Sequence, residues 1–155
     1  MPITYLSGDP LLTTAHTLIF GHNAHGRTEL GAFETALMQR QPAAFAAYTK
    51  QCRSHRIKPG MIWTWRESKP WLAAMVIRET SVGAARLRYV QSAVMTLAQN
   101  YRLEGYQSVA IAPLGHDLEW RDMRPILDYW LRGVSLPIII YERYLPGIGA
   151  ESNQT

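Results

Sequence analysis

The runs HTLIFG (16–21), WLAAMVI (71–77), SVAIAP (108–113) and LPIIIYE (136–142) are apolar at nearly every position. A strand that faces water on one side alternates apolar and polar residues, whereas a strand covered on both sides has no reason to alternate. Strands of this kind therefore require helices on both faces of their sheet. ITYL (3–6) and GMIWTWRE (60–67) read as two further strands.

The intervening segments supply the helices. Pro42 suits a first helical turn, and Phe45, Tyr48 and Cys52 recur after it at helical spacing. Between Ser81 and Leu103, the residues Leu87, Val90, Val94, Leu97 and Tyr101 form one stripe, with Arg86, Arg88, Gln91 and Gln99 off it. A last helix near 119–132 turns Trp120, Met123, Leu127 and Trp130 inward, with Pro125 as a kink or as its true first turn. The expectation is a three-layer α/β/α sandwich around a mostly parallel sheet. It forms one domain over residues 1–145, and PGIGAESNQT (146–155) trails off as a tail.

Composition narrows the function classes. No apolar run approaches the roughly 20 residues that span a bilayer, and the first residues lack a signal-peptide layout, so a cytoplasmic setting is expected. The single cysteine, Cys52, excludes an internal disulfide and a multi-cysteine zinc site, and reads as a buried small hydrophobe. A net charge of +4 is compatible with a phosphate-bearing partner, without the Lys/Arg stripe of a dedicated DNA-binding module. The densest basic stretch, RSHRIKPG (53–60), reads first as a solvated turn, with nucleic-acid contact as the alternative.

In parallel sheets ligands bind beyond the carboxyl ends of the strands, so the loops that follow strands carry the chemistry. GHNAHGRTELG (21–31) holds Gly21, Gly26 and Gly31, whose backbone can approach an anion closely. Arg27 could pair with a diphosphate and Asn23 could orient a sugar hydroxyl. PLGHDLEW (113–120) repeats the theme with Gly115, His116 and Asp117. Asp117 reads as a helix cap or as a general base. His22 and His25 have the spacing of a metal pair, but no third ligand is fixed by the sequence, and neither a metal nor a cofactor is expected. The G-x-S-x-G elbow, the G-x-G-x-x-G fingerprint and the phosphate-loop lysine motif are absent.

Several strings, taken in order, resemble the macrodomain family of ADP-ribose-binding modules. These are ITYLSGDPL, then Pro42, Phe45, Tyr48 and Cys52, then IKPGMIWTW, and finally SVAIAPLG followed by Leu118, Glu119 and Trp120. The resemblance runs over about residues 3–142 and is nearest to the branch that removes ADP-ribose from nucleic acid or acidic side chains, which includes bacterial DNA-ADP-ribose-removing antitoxins. It implies a mixed, mostly parallel six-stranded sheet, ADP-ribosyl glycohydrolase activity, and an ADP-ribosylated nucleic acid or protein as partner, with a toxin as a further partner. A non-cleaving reader and a degenerate fold kept for assembly are the alternatives. The ligand set it implies is Asp9, Pro10, His22, Asn23, Gly26, Arg27, Gly31, Gly115, His116 and Asp117. Asp9 recognises adenine, and Asp117, Arg78 and Asn23 form the catalytic group.

The departures sit in the loops. Phe20 stands where the family has a first asparagine, Arg78 where this branch often has a lysine, and the second phosphate loop is short.

Overall fold

A computed structural model describes residues 3–115 and 118–151. Six strands are β1 (Ile3–Gly8), β2 (Thr17–Asn23), β3 (Ile62–Trp65), β4 (Trp71–Arg78), β5 (Val109–Ile111) and β6 (Ile138–Tyr144). Four helices are α1 (Ala32–Arg40), α2 (Pro42–Arg53), α3 (Leu87–Glu104) and α4 (Leu118–Leu131). The sheet order is β1-β6-β5-β2-β4-β3, with every neighbouring pair parallel except β3 against β4. The expected mixed, mostly parallel six-stranded sheet is thus present. No helix among the described residues is long and apolar enough to cross a membrane.

The period of two along the central strands divides the core. Leu18 and Phe20 of β2, with Leu72, Ala74 and Val76 of β4, pack against Phe33 and Leu37 of α1 and Phe45 and Tyr48 of α2. Ile19, Ala73, Met75 and Ile77 face the other way, onto Val90, Val94 and Leu97 of α3 and Met123, Leu127 and Leu131 of α4. Apolar residues on both faces of β2 and β4 are what the absence of alternation demanded.

Two boundaries differ from the sequence reading, each for a tertiary reason, and one open alternative is decided. First, α3 begins at Leu87 rather than Ser81. Ahead of it the Arg86 N–H bonds the carbonyl of Ile77, and the Ala85 N–H donates to Glu119 at 3.3 Å, so this stretch is a loop pinned to β4 and α4. Second, Pro125 lies inside α4, the first of the two placements the sequence left open, where it removes one helical N–H. Third, the stretch expected to trail off is docked through Glu151. The Asp9 N–H bonds the Ile148 carbonyl, the Glu151 carboxylate accepts from Tyr141, and a methyl group at Gly8 would meet Ala150 Cβ at 2.8 Å. Only a glycine lets that segment lie so close to the end of β1.

At the far end of α3, Gly105 takes the left-handed conformation (φ 86°) and returns its N–H to Tyr101 and Arg102. This is the usual glycine-terminated end of a helix.

Leu127 is fully buried between α4 and the sheet. Leu127→Ala should cost about 2–5 kcal/mol through lost burial and the cavity left behind. Chemical denaturation should show a lower midpoint with an unchanged slope.

Candidate functional site

All five parallel strands point their carboxyl ends to one edge of the sheet, and there the loops after β2, β4 and β5 meet. Their meeting point is a buried charge cluster. The Glu29 carboxylate is 7% exposed as a residue. It accepts from Asn23 Nδ2 at 2.6 Å and from Arg78 Nη1 at 3.2 Å, with His22 Nδ1 3.5 Å away. The other guanidinium nitrogen of Arg78 donates to the Leu114 carbonyl at 3.3 Å. One side chain on β4 thus spans the loop after β2 and the loop after β5. Those two loops come together within the width of a guanidinium.

Burial alone pushes the Glu29 carboxyl up, but hydrogen bonds from His22 and Asn23 and the charge of Arg78 outweigh it. The net effect holds the group below the usual carboxylate range, so it is ionised in the fold.

Asn23 shapes the loop around this carboxylate. Its Nδ2 also donates to the Arg27 carbonyl at 2.9 Å, and its Oδ1 accepts from the N–H groups of His25 (3.1 Å) and Arg27 (3.0 Å). The Asn23 carbonyl in turn accepts from Tyr48 Oη on α2 at 2.7 Å. With the register shift between His22 and Asn23, these bonds turn the chain off the sheet. The side-chain amide expected to align a ribose therefore has both of its donors and its carbonyl occupied by the loop.

Other expected ligands also take different positions. His22 is buried, stacked on Tyr48 with ring centroids 4.6 Å apart, because it faces the same side of β2 as Phe20. His25 is exposed, so the two histidines diverge. Gly26 (φ 68°) backs onto α2, where a methyl group would meet Thr49 Cα at 3.0 Å; it allows close packing rather than ligand approach. Arg27, expected to reach a diphosphate, leaves on the opposite side of the loop. Both its backbone groups are tied to Asn23, and its side chain lines a different recess, beside Arg53. His116 and Asp117 lie outside the described residues.

A cleft of about 610 Å³ opens at this edge of the sheet. Ser7, Phe33, Pro113, Trp120, Arg143 and Tyr144 are among its lining residues, together with the first turn of α1. Phe33 and Tyr144 meet edge to face at 5.5 Å. Asp9 is buried just beyond Gly8, which pairs with Tyr144. Its Oδ1 accepts from the Leu11 N–H and its Oδ2 from the Gly147 N–H, both at 2.9 Å. A carboxylate offers about four acceptor positions, and these bonds use two of them. Pro10 follows as the first residue of a short 3-10 turn.

Gly31 caps α1 without a side-chain hydrogen bond, which leaves first-turn N–H groups facing the cleft. A methyl group at Gly31 would lie 2.0 Å from Glu34 Oε1, so that carboxylate folds over the helix start as an anion would. Gly115 lets the loop after β5 close on α4, since a methyl group there would meet Glu119 Cβ at 2.9 Å. Trp120 is aimed by its indole N–H, which donates to Glu142 at 2.9 Å. No group of three metal-ligating side chains occurs among the described residues.

This fold, with its sheet ordered β1-β6-β5-β2-β4-β3, has counterparts among solved structures. The macrodomain of Mycobacterium tuberculosis DarG aligns at TM-score 0.81 and 24% identity, over 94% of this chain and 98% of that one. The chain has the macrodomain fold.

The macrodomain of Thermus aquaticus DarG aligns at TM-score 0.80 and 18% identity, over 93% and 98% of the two chains. Thermosipho africanus DarTG in complex with ADP-ribose aligns at TM-score 0.84 and 19% identity, over 93% of this chain but only 42% of that one. At these identities the likeness is one of fold. No family model matches the chain, and neither does any curated protein.

The sequence reading missed Glu29, Phe33, Glu34, Arg143 and Tyr144. Glu29 had one signal: a carboxylate inside a loop otherwise suited to anions needs a partner, and Arg78 was the cation already singled out.

The folded Glu29 carboxyl lies below its unfolded value of about 4.3. Its contribution is therefore complete above that pH and disappears as pH falls through the lower folded value. Glu29→Gln should cost about 1.5–3 kcal/mol at pH 7, the worth of hydrogen bonds to a charged group. Melting curves of the parent and variant should converge toward pH 3; parallel curves across that range would remove Glu29 from this role.

Proposed function

We propose that this macrodomain binds ADP-ribose in the cleft and removes it from a modified nucleic acid or protein. The observation that carries the reading is an aromatic-walled hollow at the start of α1, whose Tyr144 wall pairs with Gly8, the residue before the buried acceptor Asp9. Adenine lies at the Asp9 end, between Pro10 and Tyr144, where the free acceptor positions of the carboxylate suit its amino group. The diphosphate lies over the first turn of α1 and the Gly115 loop, which offer backbone N–H groups and a helix dipole. Arg143, exposed, is a side-chain cation that lines the cleft. The ADP-ribose named for the Thermosipho africanus structure supports the same ligand class.

For cleavage, a water oxygen bonds to the anomeric carbon of the distal ribose as the bond to the acceptor group breaks. Asp117 takes the water's proton, and the acceptor group leaves with the electron pair and is protonated from solvent. Arg78 and Asn23 serve here as positioning residues, because the loop already occupies them. That same occupation favours a second reading, an ADP-ribose reader that does not cleave. An arginine stays protonated and does not replace a lysine nucleophile.

Titration calorimetry with ADP-ribose should give a dissociation constant in the micromolar range. Asp9→Asn should weaken it about tenfold, since it replaces an acceptor facing the adenine amino group with a donor or a neutral oxygen. Glu34→Gln should tighten it, because a negative charge then leaves the diphosphate path. No heat at millimolar ligand would remove both readings.

Asp117→Ala should abolish release of ADP-ribose from a modified oligonucleotide while leaving binding of the free ligand within about twofold. Full turnover in that variant would take the base role from Asp117, and no turnover in the parent would leave the reader.

A further inference from the structure

On the other side of the loop from the cleft lies a second recess, of about 650 Å³. Its wall carries His25 and Arg27 from the loop after β2, and Arg53, His55 and Lys58 from the end of α2 and the turn beyond it. All five are exposed, over a floor that includes buried Ile57 and half-buried Cys52. Arg56, also exposed, belongs to the same turn.

These cations have no carboxylates of their own. The guanidinium–carboxylate pairs among the described residues use Arg66, Arg78, Arg86, Arg124 and Arg132. None uses Arg27, Arg53, Arg56 or Lys58. The acidic residue that does reach the recess, Glu79, is already engaged by Arg86 at 3.6 Å and by the Tyr89 hydroxyl at 3.1 Å. The dipole at the end of α2 accounts for Arg53. It does not account for Arg27, on another loop, or for Lys58, beyond the turn.

We infer that this recess binds the phosphodiester backbone of single-stranded nucleic acid, as a surface separate from the ADP-ribose cleft. A phosphodiester chain carries charge at every residue whatever its sequence, which suits cations drawn from separate segments of the fold. Arginine forks match phosphate oxygens two at a time. A recess between a helix end and loops admits a flexible strand more readily than a stiff duplex. The loop Asn23–Gly31 forms the partition: its Ala24–Arg27 side walls the recess, and α1, which follows Gly31, walls the cleft.

The test uses the whole chain and an unmodified, mixed-sequence single-stranded oligonucleotide, followed by fluorescence anisotropy across a salt series. With three or four phosphates engaged, the slope of log K against log salt should be about −2 to −3. The double variant Arg53→Glu with Lys58→Glu should bind at least about tenfold more weakly, with a visibly shallower slope. It should keep the parent's circular dichroism and its ADP-ribose affinity. Affinity for the oligonucleotide within about twofold of the parent would overturn the inference, as would tighter binding of polyglutamate or of the same sequence as a duplex. Loss of ADP-ribose binding in the double variant would overturn the separateness of the two surfaces. Because the oligonucleotide carries no ADP-ribose, failure of this arm leaves the reading of the cleft untouched, and the reverse also holds.

Discussion

The Glu29 carboxylate is the point on which the functional edge of this fold depends. It draws one bond from Asn23 in its own loop and one from Arg78 on the neighbouring strand, and Arg78 carries the connection on to Leu114. A loop of this length left to itself would keep much of its backbone freedom, worth about 1–2 kcal/mol per residue. A buried carboxylate and a half-buried guanidinium hold it instead. Removing either partner would strand the other charge in a poorly solvated place, which is the costly way to break such a pair. The geometry is accordingly fixed by mutual need: the carboxylate requires the guanidinium, and together they fix the distance between the two loops that border the cleft.

That clasp also decides where positive charge is available. Arg78 is neutralised by Glu29 and spent on a carbonyl, so it adds little field to the cleft. Arg27 is sent outward because Asn23 grips its N–H and its carbonyl together. One asparagine, by folding the loop over itself, moves a cation from the cleft to the recess behind it. The loop is thus a partition with a different chemistry on each side.

Much of the architecture was legible in the chain. Continuous apolar strands can be stable only when covered on both faces, and that requirement alone implies three layers. The stripe through Val90, Val94 and Leu97 located α3, and Pro42 marked the start of α2 to the residue. Asp9, Gly31 and Gly115 stood out in the chain as an aspartate and glycines in loops that follow strands. The Glu29 clasp was not legible. Its bond from Arg78 to Glu29 joins residues 49 positions apart, across strands whose adjacency the sequence does not print. The direction of Arg27 was hidden for a related reason, since a loop side chain points wherever the backbone bonds of its neighbours leave it. The start of α3 and the docking of Ile148–Glu151 likewise depend on contacts with distant elements, Glu119 in one case and Gly8 with Tyr141 in the other.

The two faces of the partition should also respond differently to their surroundings. In the proposed reading of the cleft, anion recognition rests mainly on backbone N–H groups at the start of α1 and on dipoles held in place by buried packing, with Arg143 as an exposed addition. Fixed dipoles in a partly dry hollow select by geometry, and salt screens them weakly because few mobile ions enter. In the recess, recognition rests on flexible, solvated cations whose attraction falls off within a Debye length of about 8 Å at physiological ionic strength. The first arrangement suits a ligand of defined shape, and the second suits a long polyanion that need not be read residue by residue. Dividing the two tasks across one loop lets the exposed charges vary without disturbing the geometry of the cleft, because no residue of the Glu29 clasp contributes a charge to the recess.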